Sequence, residues 1–384
     1  MAAAPTQPVV NTMAVLVDGG PAAASTEINH SYVTVRVCEA GNSTQCANID
    51  HVLLDTGSWG LRLVRSVLNT NGISLDLEQD PQGQGIEECV TFGGGQTWGP
   101  VALADITLAG EVAAKTPIQI LDDTATGAPP PSTCGSNGTL LNSVASFGAR
   151  GVLGIGVFVQ DCGTACADAA TPLPIYYGCT AAGVCTAENV ALTAQVTNPV
   201  AMFAQDNNGL IINLPSPQSL NGDPALQGEI TFGIATQTDN QLPGSGLTIL
   251  AADANGDFTA AYNGATAAVP ALIDSGSDSY VFSDPGIPVC AAGAFIGYYC
   301  PSNSPQMLTT VNTGAGSGGV VSSVQFTIAD PNTFSLGASA FAQLAGGEGS
   351  MSFVWGMPYF YGRKIYIALE QRPGGGFAGP YYAY

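Results

Sequence analysis

The chain carries one seven-residue pattern twice: Val52-Leu53-Leu54-Asp55-Thr56-Gly57-Ser58 returns as Ala271-Leu272-Ile273-Asp274-Ser275-Gly276-Ser277. In each copy an apolar strand delivers an Asp into a tight turn of Thr or Ser, Gly and Ser. A single such turn says little, because Asp, Thr, Gly and Ser are favoured turn residues anyway. The duplication says more. Asp274 follows Asp55 by more than half the chain, so the repeat constrains the fold to two related lobes, each contributing one carboxylate. Two carboxylates held close cannot both ionise easily; they share a proton, which makes one an acid and the other a base at the same pH.

The remaining sequence reads as strands and turns. With 384 residues, 49 Gly and 25 Pro, it can bury a large core in two domains of short strands. Val9 to Val17 predicts a first strand, and Tyr32 to Cys38 alternates in period two toward the first Asp turn. Cys89 to Gly95 and Trp98 to Leu108 predict a hairpin with a glycine-rich tip. Gly151 to Gly156, Gly228 to Gly233, Phe353 to Gly356 and Lys364 to Leu369 read as further strands, and Pro199 to Ala204 as one of few helices. No helical periodicity is sustained enough for a bundle or a βαβ repeat. The expected fold is all-β, with an N-terminal lobe over 1–235, a cysteine-rich insertion at 161–185 and a C-terminal lobe over 236–384.

Charge narrows the partners. Acids outnumber bases 29 to 8, for a net charge of −21, which argues against nucleic acid or an anionic membrane surface. No apolar run is long enough to span a membrane. A protein with few ion pairs and many acids loses little in acid, so greater stability in acid than in alkali is expected. Ten cysteines fit an oxidising compartment. They fall in close pairs, Cys38 with Cys46, Cys162 with Cys166, Cys179 with Cys185 and Cys290 with Cys300, leaving Cys89 and Cys134. Sequence alone does not fix the connectivity, and a zinc site on Cys162/Cys166 and Cys179/Cys185 is the rival reading, its second pair being wide for a zinc knuckle. The terminus Met1-Ala2-Ala3-Ala4-Pro5 lacks a basic segment followed by a hydrophobic one; the cysteines point to a secreted or periplasmic chain whose signal has been removed.

In its ordered motifs the chain resembles the pepsin-like aspartic proteases, and a bacterial branch of that superfamily is expected. Leu54-Asp55-Thr56-Gly57-Ser58 is similar to the first catalytic turn and Ile273-Asp274-Ser275-Gly276-Ser277 to the second. Val90-Thr91-Phe92-Gly93 is similar to the flap hairpin that closes over substrate, and Gly151 to Gly156 and Phe353 to Gly356 to the strands that cross behind each Asp. The resemblance implies a bilobal all-β fold with a peptide-binding cleft, and a water-activating dyad of Asp55 and Asp274 that needs neither metal nor cofactor. It implies that Thr56 and Ser275 cross-brace the turns with Gly57 and Gly276 in their bends, and that Ser58 and Ser277 hold the outer carboxylate oxygens. The chain departs from the family at Phe92, where a Tyr is usual, at Arg62, where a Trp usually partners it, and at Trp59. Asp278 is similar to the Asp with which retroviral proteases bind substrate backbone. Phe92, Gly93, Arg62 and Asp278 are thus candidates for the flap and substrate cleft, although Arg62 and Asp278 read more readily as local structural partners or solvated charges.

The expected activity is that of an aspartic endopeptidase acting on peptides or proteins. The alternative is a catalytically silent fold of the same kind serving as an extracellular binding or surface-assembly protein; a carbohydrate-binding β protein rests on composition alone. Asp253-Ala254-Asn255-Gly256-Asp257 has the oxygen spacing of a calcium loop but lacks the later Glu, and Asn-Gly favours a hairpin turn. His30 and His51 are too few for a Ser-His-Asp mechanism and read as surface or strand-edge residues. Asn42-Ser43-Thr44 and Asn137-Gly138-Thr139 match N-glycosylation acceptors, which matter only in a eukaryotic secretory host.

Overall fold

Strand-forming residues set the architecture. The computed structural model of the protein, described over residues 10–24, 26–135 and 138–384, is built almost wholly of strands in a sixteen-stranded and a seven-stranded sheet. Met1 to Pro5 and Asn137 of the second glycosylation motif lie outside the described residues. Among those residues the longest α-helix is the six-residue Arg65–Thr70, and no helix is long and apolar enough to cross a membrane. The helix expected from Pro199 is a single 3₁₀ turn, Pro199–Met202. Asn198 caps its start through the Val200 amide at 3.1 Å, and extended Phe203 ends it.

Each Asp arrives by the same route. Strand Cys46–Asp55 runs parallel to Gly151–Ile155, with Asp55 opposite Gly154. Gly151–Ile155 in turn pairs antiparallel with Trp59–Val64, the strand that leaves the turn. The second half repeats this in fewer residues: Val269–Ile273 runs parallel to Phe353–Trp355, which pairs at Val354 with Val281 of Tyr280–Val281. In both copies a middle strand is threaded between the strand entering and the strand leaving the turn. Such threading demands close backbone approach. A Cβ at Gly154 would lie 2.6 Å from the Trp59 nitrogen, and one at Gly356 2.0 Å from the Ser279 carbonyl. Only glycine satisfies both places.

The halves share more than a boundary. Strands Arg363–Ala368, Tyr381–Ala383 and Ile249–Ala251 join Thr12–Val17, Leu226–Phe232 and Gly209–Leu214 at one end of the larger sheet. Val15, Val17, Leu210, Ile212, Ile230, Ile365 and Ile367 are buried there and belong to one apolar core drawn from both halves.

The ten cysteines form five bonds: Cys38–Cys46, Cys89–Cys134, Cys162–Cys166, Cys179–Cys185 and Cys290–Cys300. Three close short turns within the chain's first half, while Cys89–Cys134 closes a loop of 45 residues and restricts the unfolded chain most. Asp253 to Asp257 forms a turn in which the Asp253 carboxylate accepts from the Asn255 and Asp257 amides. It is a connector rather than the hairpin the Asn-Gly pair suggests, because the strands on either side pair elsewhere.

Candidate active site

The two turns meet at their tips. The Ser275 amide donates to Thr56 Oγ1 at 2.9 Å and the Thr56 amide to Ser275 Oγ at 3.2 Å. Thr56 Oγ1 donates to the Ile273 carbonyl at 2.8 Å, and Ser275 Oγ to the Leu54 carbonyl at 2.7 Å. Each hydroxyl therefore closes a reciprocal bond across the pseudo-twofold, with both side chains almost wholly buried. Unmaking either would strand a buried amide, at roughly 1–3 kcal/mol.

That brace sets the carboxylates face to face. Asp55 Oδ1 accepts the Gly57 amide at 2.8 Å and Asp274 Oδ1 the Gly276 amide at 2.8 Å. Ser58 Oγ donates to Asp55 Oδ2 at 2.5 Å and Ser277 Oγ to Asp274 Oδ2 at 2.6 Å. A Cβ at Gly57 would sit 2.6 Å from the Asp274 carboxyl carbon, and one at Gly276 2.6 Å from Asp55 Oδ1. Each carboxylate thus rests on the glycine of the other turn, within hydrogen-bonding reach of its partner. Burial and then the Asp274 charge push the Asp55 carboxyl well above the usual range. Four donors orient the four oxygens, and two carboxyl groups this close do not ionise together easily.

The dyad opens into a cleft of about 1130 Å³. One wall is the hairpin of Gly85–Phe92 and Gly95–Leu108, whose two-residue tip Gly93-Gly94 projects into open space. Phe92 faces the cleft, its ring edge-on to Phe147 at 5.6 Å. Asp278 lines the opposite side, accepts a short hydrogen bond from Tyr298, and carries a carbonyl that takes the Asn29 amide group at 2.6 Å. Arg62 also borders the cleft but is 1% exposed. It donates to the Trp59 carbonyl at 2.7 Å, Glu88 Oε1 at 2.8 Å and Asp161 Oδ2 at 3.0 Å.

Several residues here had no signal in the sequence. Glu88 and Asp161 are ordinary acids until the fold puts both on Arg62. Burial, and Asp161 beside it, push the Glu88 carboxyl well up against the pull of Arg62. Glu27 and His30 line the cleft within 3.4 Å of each other, so His30 is a cleft residue, while His51 lies in a strand between Asp50 and Asp18. Leu173, Pro174 and Ile175 of the disulfide-rich insertion form part of the wall. The metal-ligand spacing of Cys162/Cys166 and Cys179/Cys185 is used up in disulfides. The one cluster of potential ligands among the described residues, Cys290, Cys300 and Asp330, contains the Cys290–Cys300 bond, and a disulfide sulfur is a poor metal ligand.

The family model described as "Protein of unknown function (DUF3443)" matches residues 7–384. No curated protein matches the sequence. Among solved structures, the aspartic proteinase from Irpex lacteus is similar over 97% of this chain and 96% of its own, at 12% identity and a TM-score of 0.50. At that identity the likeness concerns the fold: a bilobal, pepsin-like, all-β arrangement.

Proposed function

The chain belongs to the DUF3443 family of proteins of unknown function, and we propose that it is an aspartic endopeptidase. The reading rests on one observation. Two buried, cross-braced turns hold Asp55 and Asp274 on each other's glycine, with the Thr56 and Ser275 amides bonded to each other's hydroxyls, those hydroxyls to backbone carbonyls, and the glycine amides and Ser58 and Ser277 hydroxyls to the carboxylates.

In this reading the dyad holds one proton. The ionised carboxylate takes a proton from a water positioned between the pair as that water attacks a peptide carbonyl. The protonated partner donates to the carbonyl oxygen, giving a tetrahedral diol. The carboxyl that took the water proton then gives it to the amide nitrogen while its partner takes a proton back from a diol hydroxyl, and the C–N bond breaks to leave a carboxylic acid and an amine. Ser58 and Ser277 keep the outer oxygens engaged, so the inner oxygens remain for the water. Proton transfers of this kind contribute about 10²–10⁴-fold each. The substrates are peptides or unfolded protein segments laid along the cleft. Five disulfides support an extracytoplasmic place of action, secreted or periplasmic.

The test is digestion of a denatured protein from about pH 3 to 7, where carboxylate pairs titrate. Wild type and Asp274→Asn are compared, with cut sites mapped by mass spectrometry. Acid-favoured cutting that disappears in the variant is the expected result. Equal silence from two folded proteins would overturn the enzyme and leave the silent binding fold.

A further inference from the structure

The hairpin over the dyad is built into its surroundings at the base and free at the tip. Its strand Gly85–Phe92 pairs with Tyr176–Cys179 of the insertion, Glu88 opposite Tyr176, and Tyr176–Cys179 pairs in turn with Cys185–Ala187. The flap base is therefore a four-stranded sheet. Cys89–Cys134 ties it down, and Trp98, Tyr177 and Cys179 pack around that bond. On the returning strand Gln96 is bonded to Thr139 and Leu141 at 2.9 and 2.7 Å. At the tip a Cβ on Gly93 would meet nothing within 4 Å, whereas one on Gly95 would lie 2.1 Å from the Thr139 carbonyl oxygen.

Phe92 packs with Phe147 against the buried cluster of Tyr32, Leu53, Ala149 and Val152, and it also meets Arg62. The Arg62 guanidinium carbon lies 5.8 Å from the Phe92 ring centroid. That guanidinium is a fixed plate. Glu88 holds it from the flap strand, Asp161 from the insertion, and the Trp59 carbonyl from just beyond the first Asp turn. Asp161 is held in turn by the Tyr176 hydroxyl at 2.6 Å, and that hydroxyl accepts the Val196 amide at 2.8 Å. A planar cation desolvated under an aromatic face contributes about 1–2 kcal/mol.

We propose that Arg62 is the positioning residue of the flap: through the Phe92 ring it fixes the closed position of the tip over the dyad, and the disulfide-rich insertion, through Asp161 and Tyr176, fixes Arg62. The insertion thereby acts on the substrate cleft from behind its wall. The inference rests on the cleft being a peptidase site, but its first readout does not require turnover.

Hydrogen exchange of residues 90–95 is measured in wild type, Phe92→Leu, Phe92→Tyr and Phe147→Leu, and in Arg62→Lys, which keeps the charge and loses the plane. The tip amides are expected to exchange about fivefold faster in Phe92→Leu and Arg62→Lys, the equivalent of about 1 kcal/mol. Phe92→Tyr keeps protection, and the double variant Phe92→Leu/Arg62→Lys is no faster than either single one. In turnover, KM for a peptide rises by about the same factor with kcat much less affected, because the loss concerns closure over bound substrate. Unchanged exchange in Phe92→Leu, or additive effects in the double variant, overturns the proposal. Should Arg62→Lys fail to fold, Phe147→Leu decides: a loss equal to that of Phe92→Leu assigns the anchor to Phe147 and overturns the role of Arg62. A wild type without peptidase activity sinks the enzyme reading, while the exchange data still decide the anchor.

Discussion

The two Asp turns match bond for bond, yet the walls behind them are made of different material. Behind Asp274 lies an aromatic stack: Trp355 is fully buried against Phe326, Phe353, Tyr280 and Tyr359, with ring centroids 4.4–5.8 Å apart. The N-terminal half has a buried cation between two acids instead, Arg62 with Glu88 and Asp161, on the strand that leaves the first turn, where the second half places Val281. The proposed chemistry of the dyad needs symmetry, since in it each carboxylate serves as the other's partner. The walls have no such requirement. One half settled on dispersion and apolar burial, and the other on a fixed polar network that also reaches the flap and the insertion.

Symmetry in the turns is the first part of that contrast to test. Asp55→Asn and Asp274→Asn are each expected to lower kcat/KM by roughly 10²–10⁴-fold, the range for losing a positioned acid or base. The two losses should agree within about tenfold. A variant that kept appreciable cleavage would show that its turn is a scaffold and that the pair does not work as a pair.

The walls should then respond differently to pH. Trp355→Ala is expected to cost about 3–5 kcal/mol, as large-to-small changes in a packed core do, and by nearly the same amount at any pH from 4 to 7. Arg62→Met is expected to cost a similar 3–5 kcal/mol near neutrality, because it leaves two buried carboxylates without their cation. Its cost should shrink on acidification, since a protonated Glu88 needs no counter-charge. Urea denaturation at two pH values separates the cases, and parallel pH profiles for both variants would refute the contrast.

A smaller effect sharpens the N-terminal side alone. Burial pushes the Glu87 carboxyl up to about 8, with Arg65 opposing and Asp122 adding to the shift. Folding thus favours the protonated form, and the native state binds more protons than the unfolded chain between the ordinary glutamate value and about 8. That stability is present in acid and is lost as pH rises through the interval. Glu87→Gln should therefore leave stability unchanged near pH 4 and raise it near pH 8 by a few kcal/mol at most. Stabilisation already complete at pH 4 would contradict the assignment. The same sign holds for Glu188, pushed to about 7 by burial and by Asp80.

Legibility in the sequence follows locality. The Asp turns, their glycines and the flap tip could be read because each is a run of adjacent residues whose backbone demands are local: a bend needs Gly, and a strand needs alternating apolar side chains. The all-β architecture followed from the same signals. Arg62 was visible as a departure from the family pattern, but its partners were not. Glu88 and Asp161 stand 26 and 99 residues away, and nothing nearby marks either as buried. Asn29 was likewise silent. It is fully buried with φ of 52° and bonds to Asp278, Phe341 and Tyr361, more than 240 residues distant. Long-range polar contacts depend on which strands meet, and that is decided by the whole sheet rather than by any segment.

The finest test concerns the one place where the turns differ in composition, Thr56 facing Ser275. Both hydroxyls make the same pair of bonds, so the methyl of Thr56 is the sole difference between them. Thr56→Ala and Ser275→Ala each remove one donor and leave the opposite amide without its acceptor, at about 1–3 kcal/mol. Because they share one network, the double variant should cost clearly less than the two single costs added together. Thr56→Ser keeps every bond and gives up only buried methyl surface, an effect under about 1 kcal/mol. If Thr56→Ser instead cost as much as Thr56→Ala, the methyl would be wedging the lobes apart or together, and the brace would be a packing device before it is a hydrogen-bonding one.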